Sequence, residues 1–256
     1  MVQDKQRGVR MEQDKIGHDF LESFNVGQFG VELLKRLVVN GLSDNLSEFH
    51  TLKDVEAIEE VQKQMDMNGI DCYLETIKGS FFPVQVKTEY ATNTFLEVVS
   101  QIHLNKNKTK FGWTLDNFTK SYYTYFINYL NGVAVAPSME LRNYFAKELA
   151  DTKGFPFINK VRYSFKKAYN FKTDGTQYIS IGVPVAWDEF IKWDCISKVW
   201  SWDEIIEIIG EDKEALNIIN AMDTYYVNNN MSRIPATGET SCVCENCGTR
   251  HEIKET

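Results

Sequence analysis

Residues 69–89, GIDCYLETIKGSFFPVQVKTE, hold a carboxylate, an amide and an ammonium at a spacing that can do chemistry. Two runs inside this segment alternate, IDCYLE and FFPVQVKT, with a Lys-Gly-Ser between them. Alternate residues of a strand share a face, so Ile70, Cys72 and Leu74 turn one way and Asp71 and Tyr73 the other. Burying Val84 and Val86 of the second strand sends Gln85 and Lys87 to the opposite face. A three-residue loop, Ile77-Lys78-Gly79, puts Gly79 in the left-handed position and sets Asp71 opposite Gln85; moving the loop on by one sets Asp71 opposite Lys87. A two-residue Lys78-Gly79 turn would bury the Asp71 carboxylate against the core, which is costly. The pattern therefore selects a hairpin with Asp71, Gln85 and Lys87 on one side. Hard oxygen ligands suit Mg2+ or Mn2+, and a nearby Lys can orient or deprotonate the attacking water and offset phosphate charge, so the set fits metal-assisted phosphodiester hydrolysis. An amphipathic hairpin with a solvated polar face is the plainer reading of the same residues.

These residues need elements to position them. Phe29, Leu33, Leu34, Leu37 and Val38 recur at a helical period from Asn25 onward, and Gly41 closes that helix. A short strand is expected near Phe49, and DVEAIEEVQKQMDMN reads as helix or loop. TFLEVVS, SYYTYFINYL and NGVAVAP read as strands, the last two joined at Asn131-Gly132. Ser138 is placed to cap the helix MELRNYFAKELA. QYISIGVPV is a further strand, and WDEFIKWDCISKVWSWDEIIEIIG and EDKEALNIINAMDTYY read as helices. The pattern of helix, strands, helix and strands implies an α/β or α+β core. Residues 1–24 are expected to be a flexible arm, 25–226 the main domain, 227–241 a linker and 242–256 a cysteine-rich tail.

The GID and QVK segments, with Glu32 in the preceding helix, resemble the PD-(D/E)xK nuclease superfamily, over about residues 25–190. Asn93, Glu97 and Gly112-Trp113 follow in the order seen in members of this form, several of them phage-encoded. The resemblance implies a mixed central sheet flanked by helices, here with helical C-terminal additions and the small tail. It implies a metal-dependent DNA endonuclease or resolvase-like nuclease in which Asp71 and Gln85 hold the metal, Glu32 assists and Lys87 positions the water. Two departures stand out: Gln replaces the commoner acidic ligand at position 85, and Ile70 stands where the Pro of the superfamily name would be. Glu32 has another role open to it, ion pairing with Lys35 and Arg36.

The net charge of −8 excludes general electrostatic affinity for nucleic acid, so DNA contact must come from local basic surface. VRYSFKKAYNFK at 161–172 brings Arg162, Lys166 and Lys167 among aromatics that can stack on bases, and Lys106, Lys108 and Lys110 make a second run. The first run also fits a solvated strand face with alternate aromatics in the core. In the tail, Cys242, Cys244, Cys247 and His251 offer the thiolate and imidazole ligands of a structural Zn2+. Cys72 and Cys195 stand apart; His18, His50 and His103 have no partner at ligand spacing and are read as ordinary. With 43% hydrophobic and 25% charged residues the bulk of the 256-residue chain should fold. No apolar run is long enough to span a bilayer, so a cytoplasmic protein is expected, in host cytoplasm if phage-encoded. DNA is the expected partner, and a homodimer is admitted. The alternative is an inactive protein of nuclease fold that grips and inhibits a protein partner.

Overall fold

Leu33, Leu34, Leu37 and Val38 recur at the helical period and hold helix α1 (Phe20–Val39) against a sheet. The computed structural model describes residues 20–52, 54, 61–62, 64–65, 68–103, 109–115, 120–151, 165–171, 177–231, 241–243 and 250–252. The helix begins at Phe20, five residues before Asn25, so part of the expected arm is helical. Most of DVEAIEEVQKQMDMN lies outside the described residues.

The sheet under α1 contains β1 (Leu46–Thr51), β2 (Cys72–Thr76), β3 (Phe81–Glu89), β6 (Tyr123–Asn128), β7 (Gly132–Pro137) and β10 (Lys198–Trp200), in the order β1-β2-β3-β6-β7-β10. The pairing of β3 with β6 is parallel and the others are antiparallel, so this is a mixed sheet. A second, four-stranded antiparallel sheet, β5-β4-β9-β8, joins β5 (Thr109–Phe111), β4 (Asn93–His103), β9 (Gln177–Ala186) and β8 (Lys166–Phe171). The sequence pattern gives β4, β8 and β9 as strands, but neither β5, which falls in the basic stretch after β4 that reads as a loop, nor the separation of these strands into a second layer.

Two cores result. On one face of the six-stranded sheet, Cys72, Leu74, Val84 and Val86 pack with α1, with Ile205 and Ile209 of α4 (Trp202–Ile209), and with Met222 of α5 (Lys213–Met231). On the other, Phe126, Ala134 and Ala136 meet Leu96, Val98, Val183 and Val185 of the second sheet and Leu141 and Phe145 of α2 (Ser138–Asp151). No helix among the described residues is long and apolar enough to cross a membrane.

Two expected boundaries are corrected. The Trp-rich stretch expected as one helix divides into α3 (Trp187–Phe190), strand β10 and α4. Ser201 starts α4 with a capping box, its hydroxyl accepting from the Glu204 amide while the Glu204 side chain takes the Ser201 amide. Ser138 stands at the start of α2, but its hydroxyl is buried among those of Ser121 (3.0 Å) and Thr124 (2.8 Å). Finally, α5 runs through Met231, so the first residues of the expected linker are helical.

Candidate metal centre

The β2–β3 hairpin folds in the register that places Asp71 nearest Gln85. Its loop is Ile77-Lys78-Gly79: the Thr76 amide donates to the Ser80 carbonyl at 2.9 Å, and Gly79 has φ +75°, the left-handed conformation that glycine adopts without strain. Cys72 then pairs with Val84. Below that rung the ladder turns irregular. The Asp71 amide donates to the Val84 carbonyl (2.8 Å), and Asp71 Oδ2 accepts the Val86 amide at 2.6 Å. Strand amides point within the sheet plane, so the carboxylate occupies the ladder position that β2 vacates rather than standing clear of the face. This differs from the expected free projection. A carboxylate offers about four lone-pair sites, and the Val86 amide takes one of them.

Gln85 lies on β3 between Val84 and Val86. Those valines face α1, which approaches so closely that a Cβ on Gly30 would stand 3.2 Å from Val86 Cγ1. Alternation sends Gln85 to the other side, beside Thr124 of β6. Gln85 is 4% exposed, and its Oε1 has no hydrogen-bond partner among the described residues. A buried amide oxygen without a donor costs about 1–3 kcal/mol. Hard, oxygen-seeking cations supply what that atom lacks, so the donor set fits Mg2+ or Mn2+.

Lys87 follows on the same face, half-buried, with its ammonium 5.1 Å from the centre of the Trp113 ring. The Gly112-Trp113 pair is held there by backbone contact. The Gly112 amide donates to the Val98 carbonyl at 2.8 Å, and a Cβ at Gly112 would lie 2.0 Å from the Glu97 carbonyl oxygen, so only glycine fits. Thr114 donates its hydroxyl to that same carbonyl, and Glu97 Oε2 accepts from Ser100 at 2.7 Å. The Glu97 backbone thus anchors the Gly112-Trp113 turn that carries the indole to Lys87, while the Glu97 carboxylate is turned to Ser100.

Sequence reasoning passed over Glu89, the next residue on this face of β3. Burial pushes its carboxyl up to about 7, against the opposing pull of the Phe95 amide (2.8 Å), the Thr94 and Asn128 side chains and Lys87. The signal was available, since Gln85, Lys87 and Glu89 share one period-2 face.

The other expected residues go elsewhere. Glu32 is exposed and lines a groove of about 360 Å³ with Gln28, Phe29, Ile218 and Tyr225, on the helical side of the sheet. Its expected ion-pair partner, Arg36, instead binds Asp212 (2.6 Å) and Glu214 (2.8 Å) at the start of α5. Lys110 lies on β5 and Lys166 and Lys167 on β8, the two opposite edges of the second sheet; Lys106, Lys108 and Arg162 lie outside the described residues. In the tail, β11 (Ser241–Val243) and β12 (Arg250–Glu252) form a hairpin that pairs Cys242 with His251, while Cys244 and Cys247 lie outside the described residues. Cys72 and Cys195 are free and buried in different cores; burial pushes the Cys195 thiol up to about 12.

His50 is not without partners. Its Nε2 lies 2.9 Å from Glu75 Oε2 and 3.8 Å from Glu48 Oε2. Glu48 and His50 alternate on β1, a visible signal, but Glu75 joins them only through the β1–β2 register. No known protein family, characterised protein or solved structure matches this chain.

Proposed function

We propose that the chain is a metal-dependent nuclease that hydrolyses DNA phosphodiester bonds at the Asp71–Gln85–Lys87 face. The observation that carries this reading is the unpartnered Gln85 Oε1, on a side chain 4% exposed, at the β3 position nearest Asp71 in the hairpin register. Asp71 and Gln85 would hold Mg2+ or Mn2+, which when bound neutralises phosphate charge and lowers the pKa of water. The Val86 amide orients the Asp71 carboxylate. Lys87, steered by Trp113, donates to the attacking water and to phosphate oxygen. Basic strand edges at Lys110 and at Lys166-Lys167 are the surfaces for the DNA backbone.

The test is incubation of pure protein with supercoiled, single-stranded and branched DNA in Mg2+, Mn2+ or EDTA. Cleavage should need metal and vanish in Asp71→Asn, which keeps an oxygen for the Val86 amide. Lys87→Ala should lower cleavage more than metal affinity, and Gln85→Glu should keep or raise that affinity. Full activity in Asp71→Asn would overturn the mechanism.

A second reading, a nuclease-like fold that binds a protein partner, is favoured by Ile77 (64% exposed), Phe81 (55%) and Tyr122 (56%) around the start of β3. Failure of both wild type and Gln85→Glu to bind Mg2+ or Mn2+ at millimolar concentration would select it.

A further inference from the structure

Glu48, His50 and Glu75 gather on the face of β1 and β2 that points away from the α1 core. Phe49 and Leu74, paired with each other, both lie in that core, so the residues flanking them turn outward. Glu48 pairs directly with Glu75 across the strands, and His50 sits two rungs along, opposite Tyr73. Like charges directly opposite destabilise a strand pair. The two carboxylates are nevertheless turned toward one another and toward the imidazole: the three ligand atoms all lie within 4.8 Å of one another.

The geometry points to a divalent-metal site made by Glu48, His50 and Glu75, taking Zn2+ or a neighbouring late first-row ion. Ligands about 2.0–2.1 Å from a tetrahedral Zn2+ stand about 3.3 Å apart. The separations from His50 Nε2, 2.9 and 3.8 Å, bracket that value, so small side-chain rotations suffice. Two carboxylates and a neutral imidazole carry two negative charges, which a dication cancels. An imidazole ligand separates this site from the Asp71–Gln85 set, whose donors are all oxygen and suit Mg2+.

The surroundings hold the ligands and leave a way in. Ser47 donates its hydroxyl to the Glu75 carbonyl (3.2 Å), beside a bulge in the β1–β2 register, which fixes the backbone beneath that ligand. The Phe81 ring lies 5.3 Å from that of His50 and walls one side. Glu48, 68% exposed at its side chain, opens the other to solvent. Three protein ligands leave a fourth position for water or an anionic group. Binding uses the Nε2 lone pair, so an Nε2 proton shared with Glu75 must move to Nδ1 or to solvent.

The proposal does not depend on nuclease activity. Its test is a titration of the full chain with Zn2+ against a chromogenic chelator at neutral pH, with circular dichroism confirming each variant's fold. Wild type should bind about one equivalent more than His50→Gln, whatever the cysteine tail takes up. Glu48→Gln, altering an exposed side chain, should weaken that equivalent by roughly tenfold or more. Asp71→Asn should retain it, and millimolar Mg2+ should not displace it. Equal stoichiometry in wild type and His50→Gln, loss of the equivalent in Asp71→Asn, or displacement by Mg2+ would each overturn the site.

Discussion

The two faces of strand β3 are built to opposite rules. Toward α1 it presents Val84 and Val86, both buried against leucines of the helix. Away from α1 it presents Gln85, Lys87 and Glu89: a buried amide with an unpartnered oxygen, an ammonium over an indole and a carboxyl that burial holds up to about 7. A face that only had to close a core would be served better by apolar residues of the same volume, because each unmet buried polar atom costs about 1–3 kcal/mol. The difference teaches that the helical face carries stability while the other gives some of it up to bury polar groups, the cost that the proposed metal binding would account for.

The sharpest way to break the comparison is to exchange the effects. Leu34 is fully buried on α1, so Leu34→Ala should destabilise the fold by about 2–5 kcal/mol in urea denaturation. Lys87→Ala, on the face of β3 turned away from α1 and only half-buried, should cost less than about 1 kcal/mol, the usual range for a substitution outside the packed core. Equal losses would mean that the polar face is also structural.

Glu89 tests the cost of the polar face through pH. Its folded pKa of about 7 lies above the ordinary 4.5, so the folded state holds the proton more tightly than the unfolded chain. Stability from this group is therefore full below about 4.5, declines as pH rises, and is lost above about 7; the window is worth roughly 3 kcal/mol. Glu89→Gln should flatten the stability profile across that window. An unchanged profile would place the carboxyl in water.

The hairpin was legible because three local signals agreed: period-2 alternation, a glycine where a loop needs positive φ, and the cost of burying Asp71. The parallel pairing of β3 with β6, and with it Thr124 beside Gln85, was not, since it joins residues 39 positions apart (Gln85↔Thr124, 124 − 85) through a crossover. Trp187–Ile209 misled for a different reason. Its apolar residues fit a helical period, yet tertiary pairing of Lys198–Trp200 with Val133–Val135 of β7 outweighed that local preference. Glu75 shows the same limit in the candidate site: its partners Glu48 and His50 lie more than twenty residues upstream, across a segment whose length does not fix register.

Gly79 holds the two faces apart, because a one-residue slip would send every side chain of β2 to the wrong side. With φ at +75° and no atom within 4 Å of an added Cβ, Gly79→Ala meets only backbone strain. It should lower stability by about 1 kcal/mol without changing the register. Loss of Zn2+ or Mg2+ binding in this variant would show that the register had slipped.

The smallest expected change in stability is also the most informative. Gln85→Met keeps side-chain length and approximate volume but replaces the amide with a thioether, which needs no donor. If Gln85 Oε1 is unmet in the folded protein, removing it should leave stability unchanged or raise it by up to about 1 kcal/mol, since no hydrogen bond is lost and a desolvation cost disappears. The same substitution should weaken Mg2+ or Mn2+ binding, because thioether sulfur is a poor ligand for hard cations. A variant as stable as wild type yet deaf to metal would separate the two faces of β3 by function. A loss of several kcal/mol would mean instead that the amide oxygen already has a partner, and the site would lose the atom on which its metal chemistry rests.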